Sequence, residues 1–284
     1  LKSLANASSA LQPAVVASER IEEIMNLPEE TDKENAVEKE SVNGDVVFEH
    51  VRFGYLPDQI ILKDLSANVK VGQKIAIVGP TGAGKSTMVN LLMRFYQPKS
   101  GRILLDGIPI SDYSGENLHN MLSMVLQDTW TFEGTIRENI VYSTPNVSEE
   151  RLNQIVSDIG LQHFVETLPH GLDTILSESS AVSAGQKQLI TIGRAMAKNA
   201  PVLILDEATS SVDTRTEKLI QNALDKLTKG RTSFVIAHRL STIKNADQIF
   251  VMKDGDVIEI GTHNELLHQN GLYAELYNSQ FADE

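Results

Sequence analysis

The sequence predicts an α/β fold, a mainly parallel sheet covered by helices on both faces, with a helical lobe set apart from it. Three observations predict it. Short β-branched runs alternate along the chain with stretches of helical periodicity, as in a sheet whose strands are joined by helical crossovers. One such pair, the strand "KIAIVG" and the helix "KSTMVNLLMRF", is joined by the glycine-rich "GPTGAGKST" of residues 79–87. The stretch from about 130 to 182 is nearly strand-free and helical, so it is expected to form the separate lobe.

Taken in order, residues 1–27 are rich in helix formers, with Pro13 expected to start or kink the helix. Residues 28–44, "PEETDKENAVEKESVNG", are crowded with Glu and Lys and poor in large apolar side chains, the composition of an acidic, solvated linker. The domain proper is expected over 45–284. It opens on strands within "DVVFEHVRFGY", and further strands are expected at "SANVKV", "KIAIVG", "RILLDG", "LSMVLQ", "PVLILD", "TSFVIAH", "QIFVMKDG" and "DVIEIG". Helical patterns follow Gly84, Ser148, Ser183, Asp213 and Thr262.

Bulk properties exclude several classes. No apolar run approaches the ~20 residues that span a bilayer. No charged-then-apolar leader opens the chain, so no signal peptide is expected, and the absence of a first Met is what a piece of a longer protein would show. With no cysteine there are no disulfides and no thiolate metal sites. A net charge of −13 argues against a nucleic-acid partner, since such partners are held mainly by Lys and Arg.

Several motifs carry chemistry. In "GPTGAGKST" the backbone of Gly79, Pro80, Thr81, Gly82, Ala83 and Gly84 is expected to wrap phosphates with its N–H groups. Lys85 would neutralise the outer phosphates, the Ser86 hydroxyl would hold Mg2+, and Thr87 completes the motif. The competing reading, a chance glycine-rich turn, gives no reason for a strand before it and a helix after it. "PVLILDEATSSVD" is a buried strand ending in two acids, which delivers Asp206 to the sheet edge where phosphate-loop folds bind ligand. Asp206 would support the Mg2+ shell and Glu207 would polarise an attacking water; the alternative is that Asp206 only caps the next turn. His238 ends the strand of "TSFVIAHR", Gln127 ends that of "LSMVLQ", and Tyr55 follows the first strand. Each of these three alone is more often structural than functional. "SAGQ" (183–186) is a capping box, Ser183 at the N-cap and Gln186 three residues on, and also a second anion site without a lysine.

Their order resolves the ambiguity. Aromatic, phosphate loop, Gln, "SAGQ", Asp-Glu, "SSVD" and His follow one another as in the ATP-binding cassette (ABC) family, and the resemblance covers roughly Asp45 to the C-terminus. It implies the phosphate-loop ABC ATPase fold: a RecA-like parallel-sheet core, an antiparallel β subdomain and the helical lobe. It also implies ATP and Mg2+ as ligands, with Lys85, Glu207 and His238 catalytic, Tyr55 stacking on adenine, and Gln127 sensing Mg2+. "SAGQKQ" resembles the family's signature motif. Two cassettes pair head to tail, so Ser183, Gly185 and Gln186 of one would close over the γ-phosphate held by the other, and Asp213 would cross to the partner.

The front end resembles one branch of the family. "LQPAVVASERIEEIMNLPEE" is similar to the cytoplasmic end of the last transmembrane helix of exporters, which makes residues 1–27 a connector. "DTWTFEGTIRENI" and Glu178 also resemble exporter features. The resemblance thus implies the motor half of a multidrug- or lipid-exporter-like half-transporter. It would work at the cytoplasmic face of the cell membrane, with a transmembrane domain on the same polypeptide and a second nucleotide-binding domain as partner. Three departures stand out: Val182 where the signature has Leu, Ala184 where it has Gly, and no glycine in "ESSAVS". Together with a complete catalytic set they resemble one chain of the heterodimeric exporters; a homodimer is the alternative. Rival readings are a non-transport ABC ATPase, a phosphate-loop kinase of small molecules and a regulatory nucleotide-binding module. The first lacks its usual coiled coil or second cassette here, the second leaves "SAGQKQ" without a role, and the third leaves Glu207 and His238 without one.

Overall fold

A computed structural model describes residues 2–27, 31–126, 129–177, 182–206, 213–237 and 240–280. The chain divides into two units, Leu1–Asn35 and Ala36–Glu284. Among its described residues the first holds one helix, α1 (Lys2–Met25), which continues through Pro13. Its apolar side chains Leu11, Val15, Ile21 and Ile24 are exposed. Among the described residues no helix is long and apolar enough to cross a membrane.

The second unit begins with β1 (Val46–Phe53), β2 (Leu62–Val69) and β3 (Lys74–Val78), then α2 (Lys85–Leu92). There follow β4 (Ser100–Leu105), β5 (Ile108–Pro109), α3 (Gly115–Met121) and β6 (Leu122–Val125). The helical lobe contains β7 (Gly134–Thr135), α4 (Ile136–Val141), α5 (Glu149–Asp158), α6 (Gln162–Thr167) and β8 (Ile175–Leu176). The chain returns through α7 (Ala184–Lys198), β9 (Val202–Asp206), α8 (Thr214–Thr228), β10 (Thr232–Ile236) and α9 (Leu240–Lys244). It ends with β11 (Gln248–Lys253), β12 (Asp256–Gly261), α10 (His263–Gln269) and α11 (Leu272–Gln280).

Six strands form the main sheet in the order β12-β11-β3-β10-β9-β6. All neighbours in it are parallel except β12, which pairs antiparallel with β11 at the edge. A second, antiparallel sheet has the order β2-β1-β4-β5, and β7 and β8 pair inside the helical lobe. Because successive side chains point to opposite faces of a strand, the apolar runs of β3, β9, β10 and β11 supply three clusters, one on one face and two on the other. Ile75, Ile77, Ile204, Phe234 and Phe250 pack on one face against α2 and the antiparallel sheet. On the other face Leu203, Leu205 and Val235 pack against α4, α5, α7 and α8, while Ala76, Val78 and Val251 pack against α9–α11.

The expected order of strands and major helices is present, with β2 beginning four residues before "SANVKV". The short elements α3, α9, β5, β7 and β8, and the longer α11, carried no distinct signal in the sequence. Residues 36–44, read from composition as part of a solvated linker, run against the domain. The Asp106 carboxylate accepts the backbone N–H groups of Asn43 at 2.6 Å, Gly44 at 3.0 Å and Asp45 at 2.9 Å. The Thr232 hydroxyl donates to the Gly44 carbonyl at 2.7 Å, and Val37 and Val42 pack against the core.

Candidate functional site

The phosphate loop takes its shape from glycine. Gly79 has φ 153°, and a Cβ there would lie 2.2 Å from the Met252 carbonyl oxygen, so no larger residue fits where the loop leaves β3. Gly84 is left-handed, φ 99°, and forms the N-cap of α2, turning the chain into a helix whose first amides have no side-chain cap among the described residues and suit an anion. Lys85 folds back over the loop: its Nζ donates to the carbonyls of Gly79 at 2.8 Å and Pro80 at 3.1 Å. Burial pushes the Lys85 ammonium below the usual lysine range, and the Asp206 carboxylate opposes that shift.

Asp206 ends β9, and in the sheet only β10 separates β9 from β3. The two strand ends therefore meet in one cavity of about 490 Å³, lined by Thr81, Gly82, Gly84, Lys85, Ser86, Thr87 and Asp206. Gln59 and Ile61 enter the same lining from the β1–β2 connection. Sequence reasoning missed both, since a lone Gln and Ile in a hairpin carry no motif.

The donor set fits a Mg2+ ion that arrives with phosphate. Among the described residues there is no cluster of three or more His, Asp or Glu side chains that could hold a metal alone. Ser86 and Asp206 offer a hydroxyl and a carboxylate to one cavity, and Mg2+ characteristically takes few protein ligands and fills its shell with phosphate oxygens and water.

Tyr55 is 45% exposed, with Phe53 and Tyr96 set nearly perpendicular to its ring at centroid distances of 5.1 and 4.9 Å. Its hydroxyl lies 3.4 Å from Thr87 Oγ1 and accepts from Asn90 Nδ2 at 3.3 Å. The tyrosine is thus tied to α2, the helix that follows the phosphate loop. Asn90 had no sequence signal for this role.

The signature residues stand elsewhere. Ser183 is the N-cap of α7; its Oγ accepts the Gln186 N–H at 3.2 Å, and Gln186 Oε1 accepts the Ser183 N–H at 2.9 Å. The capping box read from the sequence is present, and among the described residues the Ser183 hydroxyl has no acceptor for its own proton. The amide oxygen of Gln186 serves its own helix, as the capping-box reading expected. Asp213 caps α8, accepting from the amides of Arg215 and Thr216, both at 3.1 Å. Hydrogen bonds from the Thr216 side chain and amide hold its carboxyl below the usual range. Neither Ser183, Gly185, Gln186 nor Asp213 is in the lining of the Lys85 cavity.

The lobe is fastened to α7 by Asn139, which is fully buried and bonds the Phe132 N–H, the Phe132 carbonyl and the Thr135 carbonyl. Arg194 of α7 donates to the Asn139 carbonyl at 2.9 Å, with its guanidinium over the rings of Tyr142 and Trp130. Gln127, Glu178, Glu207 and His238 lie outside the described residues, as do positions 210–212 of "SSVD".

A parallel sheet with a glycine-rich loop after one strand, a helix on that loop and an acid at a neighbouring strand end defines a phosphate-loop nucleotide-binding domain. A family model described as ABC transporter matches residues 62–210, and the chain belongs to that family, carrying its ATP-binding domain. The chain is 49% identical over 277 residues to a fatty acid ABC transporter ATP-binding/permease protein of Mycobacterium bovis, covering 97% of this chain and 44% of that protein. It is 42% identical over 286 residues to an ATP-dependent lipid A-core flippase of Alcanivorax borkumensis, covering 100% of this chain and 49% of that protein. Among solved structures it resembles a bacterial Atm1-family ABC exporter with ATP bound, at a TM-score of 0.86 and 40% identity over 96% of this chain and 48% of that one. The chain thus spans about half the length of the relatives it matches.

Proposed function

We propose that this chain is the ATP-hydrolysing motor domain of an exporter, working at the cytoplasmic face of a membrane. Its permease domain would lie on the same polypeptide, and residues 1–27 would form the connector and 28–44 the linker to a domain over 45–284. The names of the relatives support an exporter over a non-transport ATPase or a regulatory module. Within the cavity, the loop amides and Lys85 bind and orient the triphosphate, while Tyr55 stacks on the base. Ser86 and Asp206 are the residues here that would hold Mg2+, with Gln127 joining them; the ion would neutralise charge on the outer phosphates. Glu207 takes the proton of the attacking water, and His238 orients that carboxylate.

One observation carries the pairing part of the reading. Lys85, Ser86 and Asp206 share a cavity, while Ser183, Gly185 and Asp213 stand outside it on two other helix N-termini. A single chain therefore presents two half-sites, and a second nucleotide-binding domain, identical or different, would complete each. With no phosphate between them, the facing groups of two chains have little to hold them together. The chain alone is expected to sediment as a monomer without nucleotide, and the Glu207→Gln variant to shift to a dimer with ATP and Mg2+. A tight dimer without nucleotide would contradict this; a monomer under both conditions would point to a different chain as partner.

Tyr55 gives a separate expectation. If its ring stacks on the base, Tyr55→Ala should weaken ATP binding by about 1–3 kcal/mol, and Tyr55→Trp should be tolerated. Titration calorimetry decides it: equal affinities for all three forms would leave Tyr55 a packing residue.

A further inference from the structure

We infer that Gln59 is a specificity-determining residue that reads the ribose of the nucleotide; this rests on the ATP-binding reading of the Lys85 cavity. The cavity is walled by the phosphate loop, with Gln59 and Ile61 contributed from outside it by the β1–β2 connection. That connection, residues 54–61, carries Tyr55 near its start, four residues before Gln59. In a nucleotide the sugar joins the phosphates to the base. A residue that shares the phosphate cavity and the Tyr55 connection therefore falls at the sugar.

The backbone under Gln59 is held in place. A Cβ on Gly54 would lie 1.7 Å from the Gln59 carbonyl oxygen, so the two sides of the connection touch. The Gln59 N–H donates to the Leu56 carbonyl at 3.3 Å, and the Ile61 N–H donates to the Phe53 carbonyl at 2.8 Å. Lys99 Nζ ties the turn down from outside, donating to the carbonyls of Leu56 at 2.8 Å and Pro57 at 3.0 Å. The side chain, by contrast, is exposed, and among the described residues its amide has no hydrogen-bond partner. A carboxamide offers a donor pair and an acceptor side by side, which matches two neighbouring hydroxyls that each donate and accept. Binding orders only the side chain, because the backbone is already fixed.

The test compares ATP with 2′,3′-dideoxyATP, each with Mg2+, on the wild-type chain and on Gln59→Leu. Wild type should bind ATP more tightly by roughly 3- to 10-fold, the range of one net hydrogen bond. Gln59→Leu should weaken ATP to within about twofold of the dideoxy analogue and leave the analogue's own affinity unchanged, a pattern that general destabilisation cannot produce. Equal binding of both nucleotides by wild type, or undiminished preference in Gln59→Leu, would overturn the assignment. Lys85→Ala serves as the control: if it leaves every affinity unchanged, the nucleotide site itself is misplaced and the ribose assignment falls with it.

Discussion

Replacing Glu207 by Gln should lower steady-state ATP turnover by ~10²–10⁴ while nucleotide affinity stays near the wild-type value. The substitution keeps the shape and polarity of the side chain and removes its ability to take a proton. Affinity should hold because the proposed binding elements are other residues, the loop amides, Lys85, Ser86 and Asp206, which share one cavity. The chain passes directly from Asp206, the last residue of β9, into Glu207, so the acid next to the proposed Mg2+ ligand is the one tested. Measuring binding and hydrolysis on the same preparation separates the roles. A loss of affinity equal to the loss of turnover would mean that Glu207 binds rather than acts as base. Unchanged turnover would assign the base to another group.

How much of this was legible in the sequence depends on what kind of interaction makes each part. The phosphate loop was legible because its backbone needs glycine at set positions: Gly79 has no room for a Cβ and Gly84 is left-handed. The strands β3, β9 and β10 were legible because burial on both faces demands unbroken apolar runs, and every residue of β10 is buried. The helices α7 and α8 announced themselves through capping residues and apolar periodicity. What escaped was built from long-range polar contacts. Composition cannot show that Asp106 collects three backbone amides from 43–45, about sixty residues away in sequence, so residues 43 and 44 read as the end of a solvated linker. Nor could it show that Asn139 and Arg194 join the lobe to α7, or that Gln59 lines the phosphate cavity. The roles of Gln127 and His238 come from family resemblance, since single polar residues at strand ends have no pattern of their own, whereas that of Glu207 was read from the acid pair that ends a buried strand beside a phosphate loop.

The second large effect follows from the separation of the two half-sites. Lys85→Ala removes the cation of the phosphate-loop cavity, which is proposed to face phosphate in its own chain. Gly185→Asp puts a carboxylate in the first turn of α7, beside the Ser183 cap, where the partner's γ-phosphate is proposed to sit. Either variant alone should be nearly inactive, because every site in its homodimer has one damaged half. Mixed and supplied with ATP, about half of the dimers are hybrids on random pairing. Each hybrid has one doubly damaged site and one intact site, formed by the loop of the Gly185→Asp chain and the signature of the Lys85→Ala chain. The measurement is ATPase activity of each variant alone and of the equal mixture, on the chain itself if wild type turns over cooperatively and otherwise on each variant paired with the natural partner chain. Activity that returns in part on mixing is the predicted result; activity that stays at the level of the separate variants would mean that both motifs serve one chain's own nucleotide and would contradict the account.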